Sequence, residues 1–287
     1  CHIDLTDKHK VQKIIFEINP TMIFNLAAES HVDRSISSPE GILQNNVVGT
    51  FNLLEAARLN WQDMSLEQQK LFRFLQVSTD EVFGSLGPKG LFCETTAYQP
   101  RSPYSASKAG SDHFAMSYFY TYGMPVLLTN CSNNYGPWQF PEKLIPVIIL
   151  NALSAIDVPI YGDGNYIRDW LYVDDHVDAL IKVMQKGRVG EKYCIGGGEE
   201  HTNNDIADKI CTLLDSLKPI NKPYSSFLKT SRDRPGHDRR YGINSSKIRY
   251  ELDWKPNHGF GDGLEKTVVW YFENQEWCNR VAALHQK

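Results

Sequence analysis

The sequence has no apolar run near the roughly 20 residues that a membrane-spanning helix needs. Its first ten residues are polar and charged, which is not the pattern of a signal peptide. Basic residues are not in excess: 30 lysines and arginines stand against 34 aspartates and glutamates, a net charge of −4. Such a chain offers no broad positive field for nucleic acid or an anionic membrane, so we expect neither as a partner.

Paired cysteines are also lacking. The six cysteines are scattered, without a Cys-x-x-Cys pair, at Cys1, Cys93, Cys131, Cys194, Cys211 and Cys278. Zinc sites and disulfide frameworks use regularly spaced cysteines, so we expect no metal and no disulfide. Scattered thiols are typical of a reducing, cytoplasmic setting.

What the first half of the chain does contain is an alternation of helical and strand-like stretches. The predicted elements are a helix between Thr6 and Asn19, a strand at 22–27, a helix at 39–60, a strand at 72–78, a helix at Pro103–Tyr122 and a strand at Val126–Cys131. This order is typical of an α/β protein with a doubly wound parallel sheet of the Rossmann type.

The second half is richer in short elements broken by glycine and proline. We predict a dinucleotide-binding domain at 1–137 and a smaller α/β lobe that binds substrate at 138–287. A segment near 158–195 is expected to return to the first domain. Helices are predicted at Asn203–Leu217, 245–252 and 261–274.

Glycine is absent before Gly41. A dinucleotide-binding sheet opens with a strand, a glycine-rich turn that holds the pyrophosphate, and a helix. The expectation is therefore that the first βαβ unit, ~30 residues or more, is missing. A chain without that turn is expected to bind a dinucleotide poorly.

Polar residues follow three of the predicted strands, at 28–31, 79–81 and 132–134. In doubly wound sheets the ligand lies beyond the carboxyl ends of the strands. The segment Thr79-Asp80-Glu81 places two carboxylates beside a hydroxyl, which suits paired acid and base chemistry if the two pKa values are pushed apart. The alternative is a helix cap or a solvated turn.

Tyr104 and Lys108 are one helical turn apart and therefore share one helix face. A neighbouring ammonium favours the phenolate and lowers the pKa of the tyrosine toward neutrality, which would make Tyr104 a general base. The alternative is a pair of ordinary surface neighbours.

Two further motifs could bind an anion. Asn133 could donate a hydrogen bond to a phosphate or carbonyl oxygen, and Lys143 could pair with a phosphate; otherwise they belong to a turn and a helix start. Clustered arginines suit bidentate phosphate binding, although they could equally form a solvated basic loop. This basic set comprises Arg168, Arg232, Arg234, His237, Arg239 and Arg240.

Over nearly the whole chain these motifs resemble the dTDP-glucose 4,6-dehydratases, which belong to the extended short-chain dehydrogenase/reductase superfamily. Tyr104 and Lys108 are shared with the whole superfamily, whereas Thr79-Asp80-Glu81 distinguishes the dehydratases from related epimerases and decarboxylases. The remaining similar segments are 26–35, 134–137 with 141–144, 168–170 and 232–241.

The resemblance implies an NAD-dependent lyase that converts dTDP-glucose to dTDP-4-keto-6-deoxyglucose. Tyr104 would remove the proton of the sugar's 4-hydroxyl as hydride leaves carbon 4 for NAD. Lys108 would lower the pKa of the tyrosine and contact the nicotinamide ribose, and Thr79 would bond the 4-oxygen. Glu81 would remove the proton on carbon 5, and Asp80 would protonate the departing 6-hydroxyl.

The resemblance also implies binding residues. The residues matched to NAD contacts are Asp4, Leu5, Leu26, Ala27, Ala28, Tyr104, Lys108 and Asn133. Those matched to the nucleotide sugar are Ser30, Lys143, Leu144, Pro159, Tyr161, Arg168, Asn203, Arg234 and His237. The family is typically homodimeric through the helices at 39–60 and Pro103–Tyr122.

Two other functions stay open on the sequence alone. A UDP-sugar epimerase or decarboxylase of the same fold would keep Tyr104 and Lys108 but would not need Asp80 and Glu81 together. A non-catalytic nucleotide-sugar or NAD-binding protein could keep the fold, although such proteins commonly lose the tyrosine–lysine pair.

Overall fold

The computed structural model describes residues 1–233 and 235–284. Its largest sheet consists of β1 (Met22–Asn25), β2 (Arg73–Thr79), β3 (Val126–Cys131) and β7 (Lys192–Ile195). The four strands are parallel and lie in the order β1-β2-β3-β7. Their carboxyl ends therefore meet at one edge, where doubly wound folds bind their ligands. The predicted α/β class is confirmed.

Helices cover both faces of this sheet. One face carries α1 (Lys8–Ile18), α4 (Gly49–Asp63) and α6 (Pro103–Tyr122), and the other carries α8 (Val173–Lys186) and α10 (Ser246–Leu252). In β2, Phe74 packs against the helices on one face of the sheet, and its neighbour Leu75 packs against those on the other face. Because β2 is buried on both faces, its apolar residues Phe74, Leu75 and Val77 do not alternate with exposed ones.

Helix α6 has well-defined ends. Ser102 and Ser105 form a capping box at its start, and Pro103 occupies the first turn, where no backbone N–H is needed. Gly123 closes the helix in the left-handed conformation, with φ of 70°. These signals are local in sequence, and the predicted range is confirmed. They also fix Tyr104 in the first turn of the helix.

The prediction of one continuous α-helix over 39–60 is wrong. The segment begins as α3 (Pro39–Ile42), passes through a π-helical segment (Leu43–Val48) and continues as α4. A π-helix inserts one extra residue per turn, and such insertions occur often at functional sites. Here the insertion places the side chain of Asn46 inside the protein, where it holds the loop after β1.

The strand predicted over 22–27 is also too long, because β1 ends at Asn25. The Asn25 amide donates to the Gln76 side chain over 2.8 Å at the last residue pair of the β1–β2 register. Beyond that pair the chain leaves the sheet, and Leu26 is 58% exposed.

The rest of the chain forms a second core. Its strands are β4 (Asn133–Tyr135), β5 (Val158–Tyr161), β6 (Ile167–Tyr172), β8 (Glu200–Thr202) and β9 (Leu228–Ser231), arranged as a β4-β6-β8 sheet and a β5-β9 pair. Its helices are α7 (Leu144–Leu153), α9 (Asn203–Leu217), α11 (Phe260–Glu273) and α12 (Gln275–Leu284). The predicted helices of this region are confirmed to within one residue at each end.

Four short elements complete the described fold: α2 (Val32–Ser37), α5 (Leu66–Leu71) and two 3-10 turns at Asp80–Phe83 and Tyr224–Phe227. Within the segment 158–195, α8 and β7 join the four-stranded sheet, whereas β5 and β6 belong to the smaller sheets. The division of the chain into two domains at residue 137 stays a prediction.

Candidate active site

The segment Thr79-Asp80-Glu81 lies at the carboxyl end of β2, where a 3-10 turn begins. The Thr79 hydroxyl accepts a hydrogen bond from the Glu81 backbone N–H over 3.2 Å and donates to the Asp80 carboxyl over 3.3 Å. Thr79 therefore caps the turn and fixes both acidic residues at the sheet edge. The cap and the predicted functional role are compatible, because the Thr79 hydroxyl and not a carboxyl group accepts the hydrogen bond from the backbone N–H.

Asp80 is 1% exposed, and its Oδ2 atom is buried without a hydrogen-bond partner. Burial raises the pKa of Asp80 well above its ordinary value, and the negative charges of Glu81 and Asp169 add to the effect, while Arg168 opposes it. A carboxyl group in such surroundings keeps its proton near neutral pH. Asp80 is therefore suited to donate a proton.

Tyr104 lies against the same turn and is 8% exposed. Burial raises the pKa of Tyr104 well above its ordinary value, as do the charges of Glu81, Cys131 and Asp80, while a hydrogen bond with the Thr79 side chain lowers it. The prediction that Lys108 brings this pKa toward neutrality is wrong for this structure. The sequence showed the ammonium but not the burial and the facing carboxyl groups.

Lys108 is 4% exposed and donates a hydrogen bond from Nζ to the Val77 carbonyl over 2.8 Å. Burial lowers the pKa of Lys108, and the carboxyl of Asp112 raises it. Asp112 is one further turn along α6 and was not among the predicted site residues. A third polar residue at the same helical spacing was a signal that could have found it.

Asn46 was also missed. Its side-chain amide donates to the Glu29 carbonyl over 3.0 Å and to the Ser107 hydroxyl over 2.9 Å, and its oxygen accepts from the Glu29 N–H over 2.8 Å. Asn46 therefore ties the loop after β1 to the helix that carries Tyr104. No local pattern marks an asparagine for this position, because its partners are 17 and 61 residues away.

Lys143 immediately precedes α7, which begins at Leu144. Its ammonium is half-buried and donates to the Ser30 carbonyl over 2.6 Å, so the loops after β1 and β4 meet here. Arg34 makes a bidentate contact with Glu142 over 2.7 and 3.2 Å, which reinforces the junction. Burial lowers the pKa of Lys143. The ammonium of Lys143 at this junction can face a phosphate.

The loop that contains Lys143 is braced from the other side by a tryptophan cluster. The cluster consists of Trp138, Trp270 and Trp277, whose ring centroids are 4.9 to 5.3 Å apart. Trp138 is 64% exposed and adopts a left-handed φ of 66°, a costly conformation for a large side chain. Packing against the two C-terminal helices offsets that cost.

Three of the residues expected to bind the cofactor directly follow β1, at the carboxyl edge of the four-stranded sheet. Leu26, Ala27 and Ala28 are exposed, and the two alanines leave space above the backbone. Asn133 has a buried Oδ1 atom without a hydrogen-bond partner. Asp4 accepts hydrogen bonds from the backbone and hydroxyl of Thr6, and the carbonyl of Leu5 accepts one from Asn52.

The residues expected to bind the nucleotide lie on the second core. Pro159 is exposed, Tyr161 is half-buried, and Asn203 is buried in the first turn of α9. Arg168 is buried, donates to the carbonyls of Ile167 and Asp238 over 2.8 Å each, and lies 4.1 Å over the Tyr241 ring. These contacts fix the guanidinium in place.

His237 stacks on Tyr166 with a centroid distance of 3.7 Å, and its ring pairs with Asp233 over 2.8 Å. Arg234 lies outside the described residues. Arg239 forms a bidentate pair with Asp163 over 2.8 and 3.0 Å, and Arg240 one with Glu200 over 2.6 Å. These last two arginines are neutralised by carboxylates, so the arginine cluster predicted for phosphate is smaller than its sequence suggests.

Asp169, next to Arg168, has a structural role. Its carboxyl accepts hydrogen bonds from the backbone N–H groups of Gly198 and Glu199 over 2.9 and 3.3 Å. Burial raises the pKa of Asp169 to about 7. Neighbouring residues of β6 thus organise two different segments of the substrate lobe.

Across residues 1–233 and 235–284, no three or more His, Cys, Asp or Glu side chains are grouped as a metal site would need. In that part of the chain no helix combines the length and apolarity that crossing a membrane requires.

A tyrosine and a lysine one turn apart, facing an acidic turn at the edge of a doubly wound sheet, define the short-chain dehydrogenase/reductase class. Within that class, residues 1–267 match the model of the family described as GDP-mannose 4,6 dehydratase. The chain belongs to this family of nucleotide-sugar dehydratases.

Known relatives agree with this membership. The chain is 52% identical over 280 residues to a dTDP-glucose 4,6-dehydratase of Xanthomonas campestris pv. campestris, with 97% of this chain and 80% of the relative covered. It is similar to DesIV, a dTDP-glucose 4,6-dehydratase from Streptomyces venezuelae solved with NAD and TYD bound. The TM-score is 0.87 at 42% identity, with 98% and 81% of the two chains covered.

A more distant structural relative is the UDP-glucose 4-epimerase of Thermus thermophilus in complex with NAD. It has a TM-score of 0.84 at 26% identity, with 95% of this chain and 84% of the epimerase covered. The fold is therefore common to dehydratases and epimerases.

Proposed function

We propose that this protein is a dTDP-glucose 4,6-dehydratase that uses NAD and releases water and dTDP-4-keto-6-deoxyglucose. The observation that carries the proposal is Asp80, a buried carboxyl group whose pKa is raised by burial, beside Glu81 and Tyr104. Elimination of water across carbons 5 and 6 needs one group to donate a proton and another to accept one. The 52% identity to a dTDP-glucose 4,6-dehydratase supports the same substrate.

Each residue of the acidic turn then has one task. Tyr104 accepts the proton of the 4-hydroxyl, and Thr79 orients the 4-oxygen. Once carbon 4 is a ketone, the proton on carbon 5 is acidic and Glu81 removes it. Asp80 gives its proton to the 6-hydroxyl, which leaves as water.

The charge state of Asp80 also bears on Tyr104. Both Asp80 and Glu81 raise the pKa of Tyr104 when they are ionised. A proton on Asp80 removes one of these two charges, so the acid that elimination requires also favours the phenolate form of Tyr104, which is the form that can accept a proton. One protonation state of the turn therefore serves both steps.

The sheet edge fits a dinucleotide. Leu26, Ala27 and Ala28 are exposed after β1, and the buried Oδ1 atom of Asn133, which has no hydrogen-bond partner, can accept a hydrogen bond. Asp4 and Leu5 are proposed to lie on the adenine side of the cofactor. Tyr104 and Lys108 would contact the nicotinamide end. When bound, NAD accepts a hydride from carbon 4 and returns one to carbon 6, so it is unchanged after a turnover.

The nucleotide sugar is proposed to lie between the two cores. Lys143, with Ser30 and Leu144 beside it, would face the diphosphate together with Arg168, Arg234 and His237. Pro159, Tyr161 and Asn203 would contact the nucleoside.

We also propose that the protein is a cytoplasmic homodimer. The helices expected at the contact carry exposed apolar side chains, at Leu43, Phe114, Tyr120 and Tyr122. All six cysteines are free thiols, which fits a reducing compartment.

Product analysis tests the proposed function. The purified protein is incubated with NAD and either dTDP-glucose or UDP-glucose, and a Tyr104→Phe variant serves as the control. A 4-keto-6-deoxy sugar formed from dTDP-glucose supports the proposal. A 4-epimer of either substrate would instead support the epimerase, and binding without turnover would support a non-catalytic protein.

A further inference from the structure

Asp112 is a buried carboxyl group that the proposed chemistry does not use. It is 1% exposed and lies on α6 two turns after Tyr104 and one turn after Lys108. Residues four apart in a helix share a face, so Tyr104, Lys108 and Asp112 form a row that runs from the substrate into the protein. Only the first two members of this row have an assigned role.

Two hydroxyl groups hold the Asp112 carboxyl in place. Ser78 donates to its Oδ2 atom over 2.6 Å, and Tyr98 donates to the same atom over 2.9 Å. Donors of this kind stabilise a carboxylate rather than a protonated carboxyl group. These two hydrogen bonds therefore oppose the effect of burial, which raises the pKa of Asp112 to about 6.

The other end of this network is the acidic turn at Thr79-Asp80-Glu81, the proposed catalytic turn. The Asn130 amide donates to the Tyr98 oxygen and to the Thr79 carbonyl, over 3.2 Å in both cases. Asp112 is therefore connected through Tyr98 and Asn130 to the backbone of Thr79. The connection joins the helix that carries Lys108 to the turn that carries Asp80 and Glu81.

Lys108 needs such a partner. It is 4% exposed, and its ammonium donates a hydrogen bond to a neutral carbonyl, that of Val77. A buried ammonium beside neutral groups loses its proton readily. Lys108 bonds to Val77 and Asp112 bonds to Ser78, which are adjacent residues of β2, so the two charged groups lie close together. At this range each charge stabilises the other.

We propose that Asp112 is a positioning residue that keeps Lys108 protonated within the buried site, and so sets the upper pH limit of catalysis. This inference rests on the proposed function only for the role of Lys108 in turnover. The charge coupling between Asp112 and Lys108 does not depend on which sugar is bound.

Other titratable groups surround this pair. On the Lys108 side they are Tyr104 of the same helix and Cys131 of β3, with Asp80 and Glu81 facing Tyr104. On the Asp112 side Tyr98 is in contact, and Lys192, His113 and Cys194 lie around the Tyr98 ring. Among these groups, Asp112 is the largest influence that raises the pKa of Lys108.

The test compares the wild type with Asp112→Asn, which keeps an oxygen acceptor for Ser78 and Tyr98 but removes the charge. The titration of Lys108 is followed by NMR on lysine-labelled protein, with Lys108→Met used for assignment. We expect its midpoint to fall by about one pH unit or more, as for an opposite charge lost at close range. The alkaline limb of kcat/KM should move down by the same amount.

Ser111→Ala is the matched control, since Ser111 is a buried, uncharged neighbour on the same helix that donates to the Asn46 carbonyl. It should leave the Lys108 midpoint unchanged, and Asp112→Glu should restore most of the shift. An equal Lys108 midpoint in wild type and Asp112→Asn would overturn the proposal.

If Asp112→Asn does not fold, the reciprocal measurement decides, because coupled groups shift each other equally. In Lys108→Met the pKa of Asp112, which burial raises to about 6 in the wild type, should rise further. No rise would overturn the proposal. These titrations need no substrate, so they stand even if product analysis refutes the dehydratase.

Discussion

His176 makes the stability of this protein sensitive to mild acid. It lies on α8, is 7% exposed, and its Nε2 atom has no hydrogen-bond partner. Burial lowers the pKa of His176 from 6.5 to about 4. Above about pH 7.5 the ring is neutral in both the folded and the unfolded chain, so its titration does not affect stability.

As the pH falls below that value, the His176 ring binds a proton in the unfolded chain but stays neutral in the folded protein. One pKa unit corresponds to about 1.4 kcal/mol, so His176 should lower the free energy of unfolding by about 2 kcal/mol between about pH 7.5 and pH 5. The loss should reach about 3 kcal/mol near pH 4, where the folded form begins to accept the proton.

Urea unfolding at about pH 7.5 and pH 5 measures this loss of stability. His176→Asn removes the titrating ring, so its stability should fall by about 2 kcal/mol less than that of the wild type over the same pH interval. His9→Asn, which changes an exposed histidine, should behave like the wild type. If His176→Asn and the wild type lose equal stability, the acid sensitivity does not originate at His176.

Three further predictions concern the site. Tyr104→Phe should abolish turnover while nucleotide binding, measured by calorimetry, stays within a factor of about two, because only the phenolic oxygen is lost. Asp80→Asn and Glu81→Gln should each slow elimination ~10²–10⁴-fold more than oxidation, so NADH absorbance should accumulate during turnover; activity near that of the wild type would leave the turn a structural cap. Asn46→Ala should lower the free energy of unfolding by about 3 kcal/mol in urea, from three lost hydrogen bonds, and an unchanged midpoint would contradict this.

The sequence predicted those parts of the fold that depend on local signals. Helix α6 was correct at both ends because Ser102, Pro103 and Gly123 act on adjacent backbone groups. Strand β3 was correct because it begins with an apolar run at 126–128, directly after the turn residues Gly123 and Pro125. The catalytic turn was located because it directly follows such a strand.

The features that the sequence did not predict arise from contacts between distant segments. The π-helix depends on the bonds of Asn46 to Glu29 and Ser107, and nothing near Asn46 in sequence indicates them. The direction of the Tyr104 pKa shift depends on burial and on carboxyl groups more than 20 positions away. Arg239 belongs to the basic set that suits phosphate binding, but it pairs with Asp163, which is 76 residues earlier in the sequence.

Because of the tryptophan cluster, movement of the loop that contains Lys143 should change the fluorescence anisotropy of the protein. Indole rings about 5 Å apart exchange excitation energy, and this exchange depolarises their emission. Trp138 is carried by the loop, whereas Trp270 and Trp277 are carried by helices. Any movement of the loop that separates Trp138 from the other two rings would therefore raise the fluorescence anisotropy, and loop motion can be timed in the unlabelled protein.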